Sequence, residues 1–201
     1  MAFQRQTIRN IIVGAGLIGA TAIITACSLF KISATDDSKL QQSAYNDLSS
    51  TVIEVGKPAP DFSLPDPDGK TVSLNSITDK QPVLVIFYRG DWCPFCISQL
   101  DSIKEVLPQL KKKGVQVIAI SPDEAAAAQN TRRQFGQGFI FLTDPKASVI
   151  EQYGIARDDK LPHPAVYLIK QGGEVGWFYA SEDYKVRPTG EQLLKIAETR
   201  L

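Results

Sequence analysis

Val83-Leu84-Val85-Ile86-Phe87-Tyr88 is a continuous apolar run rich in β-branched residues, the pattern of a strand buried on both faces. Such a strand needs layers above and below it, and the sequence around it supplies them. Val115 to Ile120 repeats the pattern, and the stretch between carries Ile97, Leu100, Ile103, Val106, Leu107 and Leu110 on one side of a helix. Strands alternating with helices predict an α/β fold with a central mixed β-sheet and helices on both faces.

Local signals place the other elements. Asp68-Gly69 between Phe62-Ser63-Leu64 and Thr71-Val72-Ser73-Leu74 predicts an N-terminal β-hairpin. Pro108 predicts a kink in the helix after Cys93, and Lys111-Lys112-Lys113-Gly114 its stop. Ser121-Pro122-Asp123-Glu124 reads as a helix start with Ser121 as N-cap, leading to a helix from Ala125 to Phe135. Phe139 to Leu142 is extended, and Asp144-Pro145 opens a helix through Tyr153. Ala165 to Ile169 and Glu174 to Tyr179 form a last hairpin, with Trp177, Phe178 and Tyr179 on its core face. Gly190 to Leu201 closes the chain as a helix.

The first thirty residues read separately. Arg5 and Arg9 precede an uncharged stretch from Ile11 to Phe30, a basic region followed by an apolar one, as in an export signal or membrane anchor. Ile24-Thr25-Ala26-Cys27 resembles the bacterial lipobox, which makes Cys27 the candidate lipidation site. The competing reading is an uncleaved signal anchor, since about 20 helical residues just cross a hydrocarbon core. Either places the rest of the chain outside the cytoplasm, tethered to a membrane on its periplasmic or cell-surface side. Gly14-Ala15-Gly16-Leu17-Ile18-Gly19 fits GxGxxG, but no dinucleotide-binding unit comes after it, and small residues in a membrane helix account for the glycines. From residue 31 to 54 the chain is polar and reads as a flexible tether, long enough to hold a domain at 55–201 roughly 25–30 Å from its anchor. With 22 basic and 22 acidic residues, the charge is far from a nucleic-acid-binding footprint.

Trp92-Cys93-Pro94-Phe95-Cys96 carries the chemistry. On a helix N-terminus the first thiol lies outside the first turn and the second beneath it, so the two can close a small disulfide. The helix's unpaired N–H groups and positive dipole end favour thiolate over thiol. Zinc would need two further ligands, and the domain offers a single histidine and no other cysteine, so no metal is expected. A purely structural bridge over so small a loop would constrain the unfolded chain little.

The run from Val83 to Cys96, with its Tyr-Arg-Gly-x-Trp-Cys-Pro-x-Cys, and Pro58-Ala59-Pro60-Asp61-Phe62-Ser63-Leu64 upstream resemble the peroxiredoxin-like branch of the alkyl hydroperoxide reductase/thiol-specific antioxidant family. The resemblance covers residues 55–201 and implies a thioredoxin-like fold with Cys93 and Cys96 as the redox pair and no cofactor. Leu161-Pro162-His163-Pro164-Ala165 resembles the segment in which that fold sets a cis-proline opposite the two cysteines, with the preceding residue's backbone free to pair with an extended substrate. On that mapping His163 lies near the dithiol as a cation or proton donor.

The resemblance offers two registers. In the thioredoxin register Cys93 attacks and Cys96 resolves. The buried aspartate six residues before the first cysteine is then Phe87, leaving proton transfer to water, His163 or a nearby carboxylate; Asp91 is close in sequence but reads as a solvated turn residue, too exposed to act strongly. In the peroxiredoxin register Cys96 is peroxidatic and Cys93 resolving, with Cys93 on the usual threonine position and Arg89 on the proline position. Arg89 is the candidate for holding a thiolate or peroxide oxygen, and Trp92 is the natural optical reporter. The expectation is a membrane-tethered thiol-disulfide oxidoreductase acting on a protein disulfide and recharged by a thiol donor. The alternatives are a thiol peroxidase and a non-catalytic binding module whose groove beside Pro164 holds an extended peptide.

Overall fold

In the computed structural model, which describes residues 31–157 and 159–201, β5 (Val83–Phe87) is the buried strand that the apolar run requires, with every side chain shut from solvent. The strand period of two divides it: Leu84 and Ile86 join one core, and Val83, Val85 and Phe87 join the other. Around it lie β2 (Ala44–Asn46), β6 (Gln116–Ser121), β7 (Phe139–Thr143), β8 (Ala165–Ile169) and β9 (Val175–Ala180). They form a mixed six-stranded sheet in the order β2-β9-β8-β5-β6-β7. β5, β6 and β7 run parallel, while β8 is antiparallel to both β5 and β9.

One face is covered by α3 (Pro94–Lys112), α4 (Ala125–Phe135) and α6 (Gly190–Arg200). Leu100, Ile103, Val106 and Leu110 of α3 meet Phe135 of α4 and Leu193 and Ile196 of α6 there. Burying each such side chain contributes about 1.5–3 kcal/mol, so this stripe fixes α3 on the sheet. The other face receives α2 (Leu74–Thr78), α5 (Ser148–Gln152) and the hairpin of β3 (Ser63–Pro65) and β4 (Thr71–Ser73), through Leu64, Leu74, Val149, Ile150 and Tyr153. This is the expected mixed sheet with helices on both faces and an N-terminal hairpin. Trp177, Phe178 and Tyr179 are all buried, but not on one face: Trp177 and Tyr179 join one core and Phe178 the other.

Two helix starts differ from the sequence reading. Ser121 remains in β6, and Glu124 occupies the N-cap of α4 without a side-chain cap bond, because the Ser121 hydroxyl donates to Asp123 at 3.0 Å instead. α5 begins at Ser148, and the buried Asp144 carboxylate caps it by accepting from the N–H groups of Ser148, Val149 and Ile150. The helix α3 continues through Pro108, which lies on its exposed side.

The larger correction concerns residues 31–54, expected as a flexible tether. They are built into the fold. β1 (Ser33–Ala34) pairs in parallel with β10 (Val186–Arg187), α1 (Asp37–Leu40) comes next, and β2 adds to the edge of the main sheet beside β9. Leu40, Leu48 and Ile53 are buried. The polar residues between them are partners rather than solvated spacers. Asp36 caps α1 through the Ser38 N–H at 2.8 Å, and Asp47 accepts from the Ser181 hydroxyl and the Glu182 N–H. A separation of 25–30 Å therefore does not apply to this segment. Among the described residues no helix is long and apolar enough to cross a membrane. The signal or anchor at 1–30, with Cys27, lies outside the described residues.

Candidate active site

β5 delivers the chain to the sheet end at Phe87, and the loop from Tyr88 to Trp92 turns it into α3. Cys93 is the N-cap of α3 with an extended backbone, and Pro94, whose fixed φ and missing N–H suit a first helical position, follows it. The Cys93 sulfur accepts from the Cys96 N–H at 3.3 Å, a cap contact in which sulfur replaces the usual oxygen. Cys93 and Cys96 are joined by a disulfide, their Cα atoms 5.3 Å apart. Cys96 lies beneath the first turn with no exposure, and Cys93 keeps only 2%.

The loop ahead of the pair is clamped. The Asp123 carboxylate accepts from the Asp91 N–H at 3.0 Å and from the Ser121 hydroxyl, and the Cys93 N–H donates to the Gly90 carbonyl at 3.2 Å. Gly90 has φ +147°, and a Cβ there would lie 2.6 Å from both Asp123 Oδ1 and Trp92 Nε1, so only glycine fits. Burial pushes the Asp123 carboxyl above its ordinary value, and neighbouring Asp91 pushes the same way. The sequence reading named Asp91; the buried carboxylate at this loop is Asp123, brought by β6 from thirty-two residues away.

Arg89 packs against Trp92. Trp92 is 57% exposed, and the Arg89 guanidinium lies 5.1 Å from its ring and 5.6 Å from the ring of Tyr184. Tyr184 in turn packs edge-on against Phe95. The Arg89 backbone N–H donates to Cys96 Sγ at 3.4 Å.

The sequence reading missed Arg187. Its guanidinium is wholly buried, donating to Cys96 Sγ at 3.4 Å, to Gln99 Oε1 at 3.2 Å and to the Tyr184 carbonyl at 3.0 Å. Gln99 is itself fixed by the Pro188 carbonyl at 3.0 Å. Burial, with Arg89 adding to it, lowers the Arg187 pKa to about 10, which leaves it a cation at neutral pH. An arginine in a polar stretch near the C-terminus gives no periodic signal; only the pairing of β10 with β1 carries it inward.

Pro164 has surroundings that differ from those the resemblance implies. The antiparallel register pairs Ala165 with Phe87, which brings Pro164 level with Tyr88 at the end of the sheet where the cysteine loop departs. The His163 N–H is already committed to the Ile155 carbonyl at 2.8 Å and the Pro164 carbonyl accepts from the Ser181 N–H, so these groups are not free for an extended substrate. The His163 ring lines a polar cleft with Ala156, Arg157, Asp159 and Glu182. Among the described residues no hydrogen bond joins it to either sulfur, and burial, then Arg157, lowers its pKa. It is neutral at pH 7, and the cation in contact with the pair is Arg187.

The model of the AhpC/TSA family matches residues 55–178. The chain is 32% identical over 143 residues to a putative chloroplastic peroxiredoxin Q of Oryza sativa subsp. indica, covering 70% of this chain and 65% of that protein. It thus spans a little under two thirds of the peroxiredoxin Q relatives it matches. It is 32% identical over 142 residues to the thiol-disulfide oxidoreductase ResA of Bacillus thuringiensis subsp. konkukian, covering 70% of this chain and 75% of that one. A putative peroxiredoxin bcp of Coxiella burnetii is 38% identical over 106 residues, 53% of this chain and 70% of its own. Among solved structures, peroxidoxin BcpB of Mycobacterium tuberculosis superposes with a TM-score of 0.64 at 20% identity, covering 73% of this chain and 96% of that one, a likeness of fold.

Proposed function

The chain belongs to the AhpC/TSA family, and from that membership we propose that it is a thiol-disulfide oxidoreductase whose working unit is the Cys93/Cys96 couple. The observation that carries the reading is the disulfide closed across the first turn of α3, with Cys93 at the outer, N-cap end beside exposed Trp92. In the reduced protein the Cys93 thiolate attacks a substrate disulfide, forming a mixed disulfide and releasing one substrate thiolate. Cys96 then attacks the Cys93 sulfur, closes the internal bridge and releases the second substrate thiol. A dithiol donor reduces the bridge and is itself oxidised to a disulfide. No cofactor takes part.

A second reading, a thiol peroxidase, is favoured by one observation: the donors converge on Cys96, from the Arg89 N–H and from Arg187. There Cys96 would take an oxygen from a hydroperoxide to form a sulfenic acid and release an alcohol or water, and Cys93 would condense with it and release water. The peroxiredoxin relatives support this alternative, and ResA supports the first. The complete burial of Cys96, against the slight exposure of Cys93, supports the oxidoreductase reading.

Rapid-mixing Trp fluorescence of the reduced full chain, with Cys27→Ser so that only the pair reacts, separates the two. Fast oxidation by a protein disulfide that requires Cys93, with slow response to hydrogen peroxide, is expected. Fast, saturable oxidation by peroxide that requires Cys96 would instead establish the peroxidase. The N-terminal segment, with Arg5 and Arg9 ahead of its apolar stretch, is the proposed membrane anchor, and Cys27 its lipidation site. Loss of the protein from the membrane fraction on Cys27→Ser is the expected result.

A further inference from the structure

Arg89 brings a charge to the rim of the redox site and leaves it unused. It donates through its backbone N–H to Cys96 Sγ and, among the described residues, through no side-chain nitrogen. Nε is shut from solvent without a partner, and the guanidinium, 5.1 Å from the Trp92 ring and 5.6 Å from the Tyr184 ring, forms no ion pair. Lys185 Nζ lies 5.5 Å from the same Tyr184 ring and, among the described residues, has no ion pair either. The acids beside these cations in sequence do not neutralise them. Asp183 accepts from the Lys185 backbone N–H at 2.9 Å, and neither it nor Asp91 pairs with Arg89 or Lys185.

Aromatic rings satisfy the face of a guanidinium but none of its N–H donors, which the two oxygens of a carboxylate match. Beside Arg89, Trp92 is 57% exposed, the one aromatic among the large apolar side chains that the described residues leave open to solvent. Cys93, next along the chain, keeps only 2% exposure, so a partner must be held against this rim for its sulfur to reach the pair. An aromatic anchor beside a free cation fixes both the place and the register of an incoming chain.

We propose that Arg89, on the platform of Trp92 and Tyr184, selects partner proteins whose reactive disulfide is flanked by an acidic side chain. The inference rests on the reading of the pair as a thiol-disulfide couple and adds the class of partner. The partner's carboxylate pairs with the Arg89 fork while its adjoining apolar surface packs on Trp92, which sets one sulfur of its disulfide over Cys93. The Cys93 thiolate attacks that sulfur, a disulfide forms between Cys93 and the partner, and the partner's second sulfur leaves as a thiolate. Lys185 adds attraction for the same negative charge during approach.

The test uses the reduced full chain carrying Cys27→Ser and two synthetic disulfide-bonded peptides that differ only in a Glu or a Gln beside the cysteine attacked. Rates are read by acid quench, alkylation and mass, and each is divided by that peptide's rate with dithiothreitol, which removes the carboxylate's intrinsic effect on exchange. The Glu peptide is expected to react about tenfold faster than the Gln peptide, with the advantage shrinking as salt rises from about 0.05 to 0.5 M. Arg89→Met should bring the Glu/Gln ratio to within about twofold of one, Arg89→Lys should keep part of it, and Arg89→Glu should invert it. The parent ratio stands as a test even if Arg89→Met fails to fold. A parent ratio near one, or a ratio that survives Arg89→Met, would overturn the proposal. So would oxidised glutathione reacting faster than either peptide, which would give the rim to a small thiol compound. Exchange with no disulfide, glutathione included, would remove the redox reading itself, and this inference with it.

Discussion

Asp123 Oδ2 accepts the Asp91 N–H at 3.0 Å, so a buried carboxylate at the end of β6 fixes the loop that presents Cys93. Its charge is unfavourable there, and its neutral form is favoured in the fold. Because the folded state binds this proton more tightly than the unfolded chain, the stability contributed by the neutral form is present at low pH. It is lost as pH rises from the ordinary carboxylate value of 3.8 through the raised one. Asp123→Asn keeps an oxygen for the Asp91 N–H and removes the charge. Urea midpoints followed from pH 4 to 7 should fall with pH in the parent relative to the variant; parallel profiles would contradict the assignment.

His163 behaves in the opposite sense. Its pKa is depressed in the fold by burial and Arg157, so the neutral ring is the favoured form and stability is lost as pH falls below about 6.5. His163→Asn should lessen this acid-side loss while leaving the rate of protein-disulfide exchange at pH 7 within about twofold of the parent. A tenfold loss of that rate would return His163 to the reaction.

Gly90→Ala places a methyl group between Asp123 and Trp92 on backbone that side chains avoid. We expect about 1–3 kcal/mol of destabilisation by chemical denaturation, together with altered Trp92 emission. An unchanged midpoint would mean that the loop relaxes freely.

Gly154→Ala tests the docking of the N-terminal segment. At φ +67°, the new Cβ would collide with the Ser50 carbonyl, where the Ser50 hydroxyl also donates to the Gly154 carbonyl at 2.7 Å. The variant should become sensitive to limited proteolysis within residues 31–54 and lose about 3 kcal/mol or more. Equal resistance to cleavage would show that this contact does not hold the segment.

The elements that rest on dense local patterns were legible. β5, β6, α3 and the last hairpin follow from apolar runs and helical spacing, and the cysteine pair from its spacing alone. What escaped is long-range and sparse. β1 and β10 are two residues each, too short to alternate, and exist only because each supplies the other's hydrogen bonds. Leu40, Leu48 and Ile53 are single apolar residues in polar surroundings, so their burial has no period to announce it. Arg187 and Asp123 reach the site from distant strands, and their chemistry appears only once the register is set.

The ladder joining Ala44–Asn46 to Phe178–Ala180 has a consequence for solubility. β9 reads Val-Gly-Trp-Phe-Tyr-Ala, uncharged and free of proline, and β2 covers its outer edge. A fragment beginning at Thr51 would leave that edge bare and offer it to a second chain as a template for strand addition. One beginning at Lys31 keeps it closed. The short polar stretch from residue 31 to 50 therefore guards the sheet against self-association, and a fragment cut at Thr51 should sediment as aggregates where the longer one stays monodisperse.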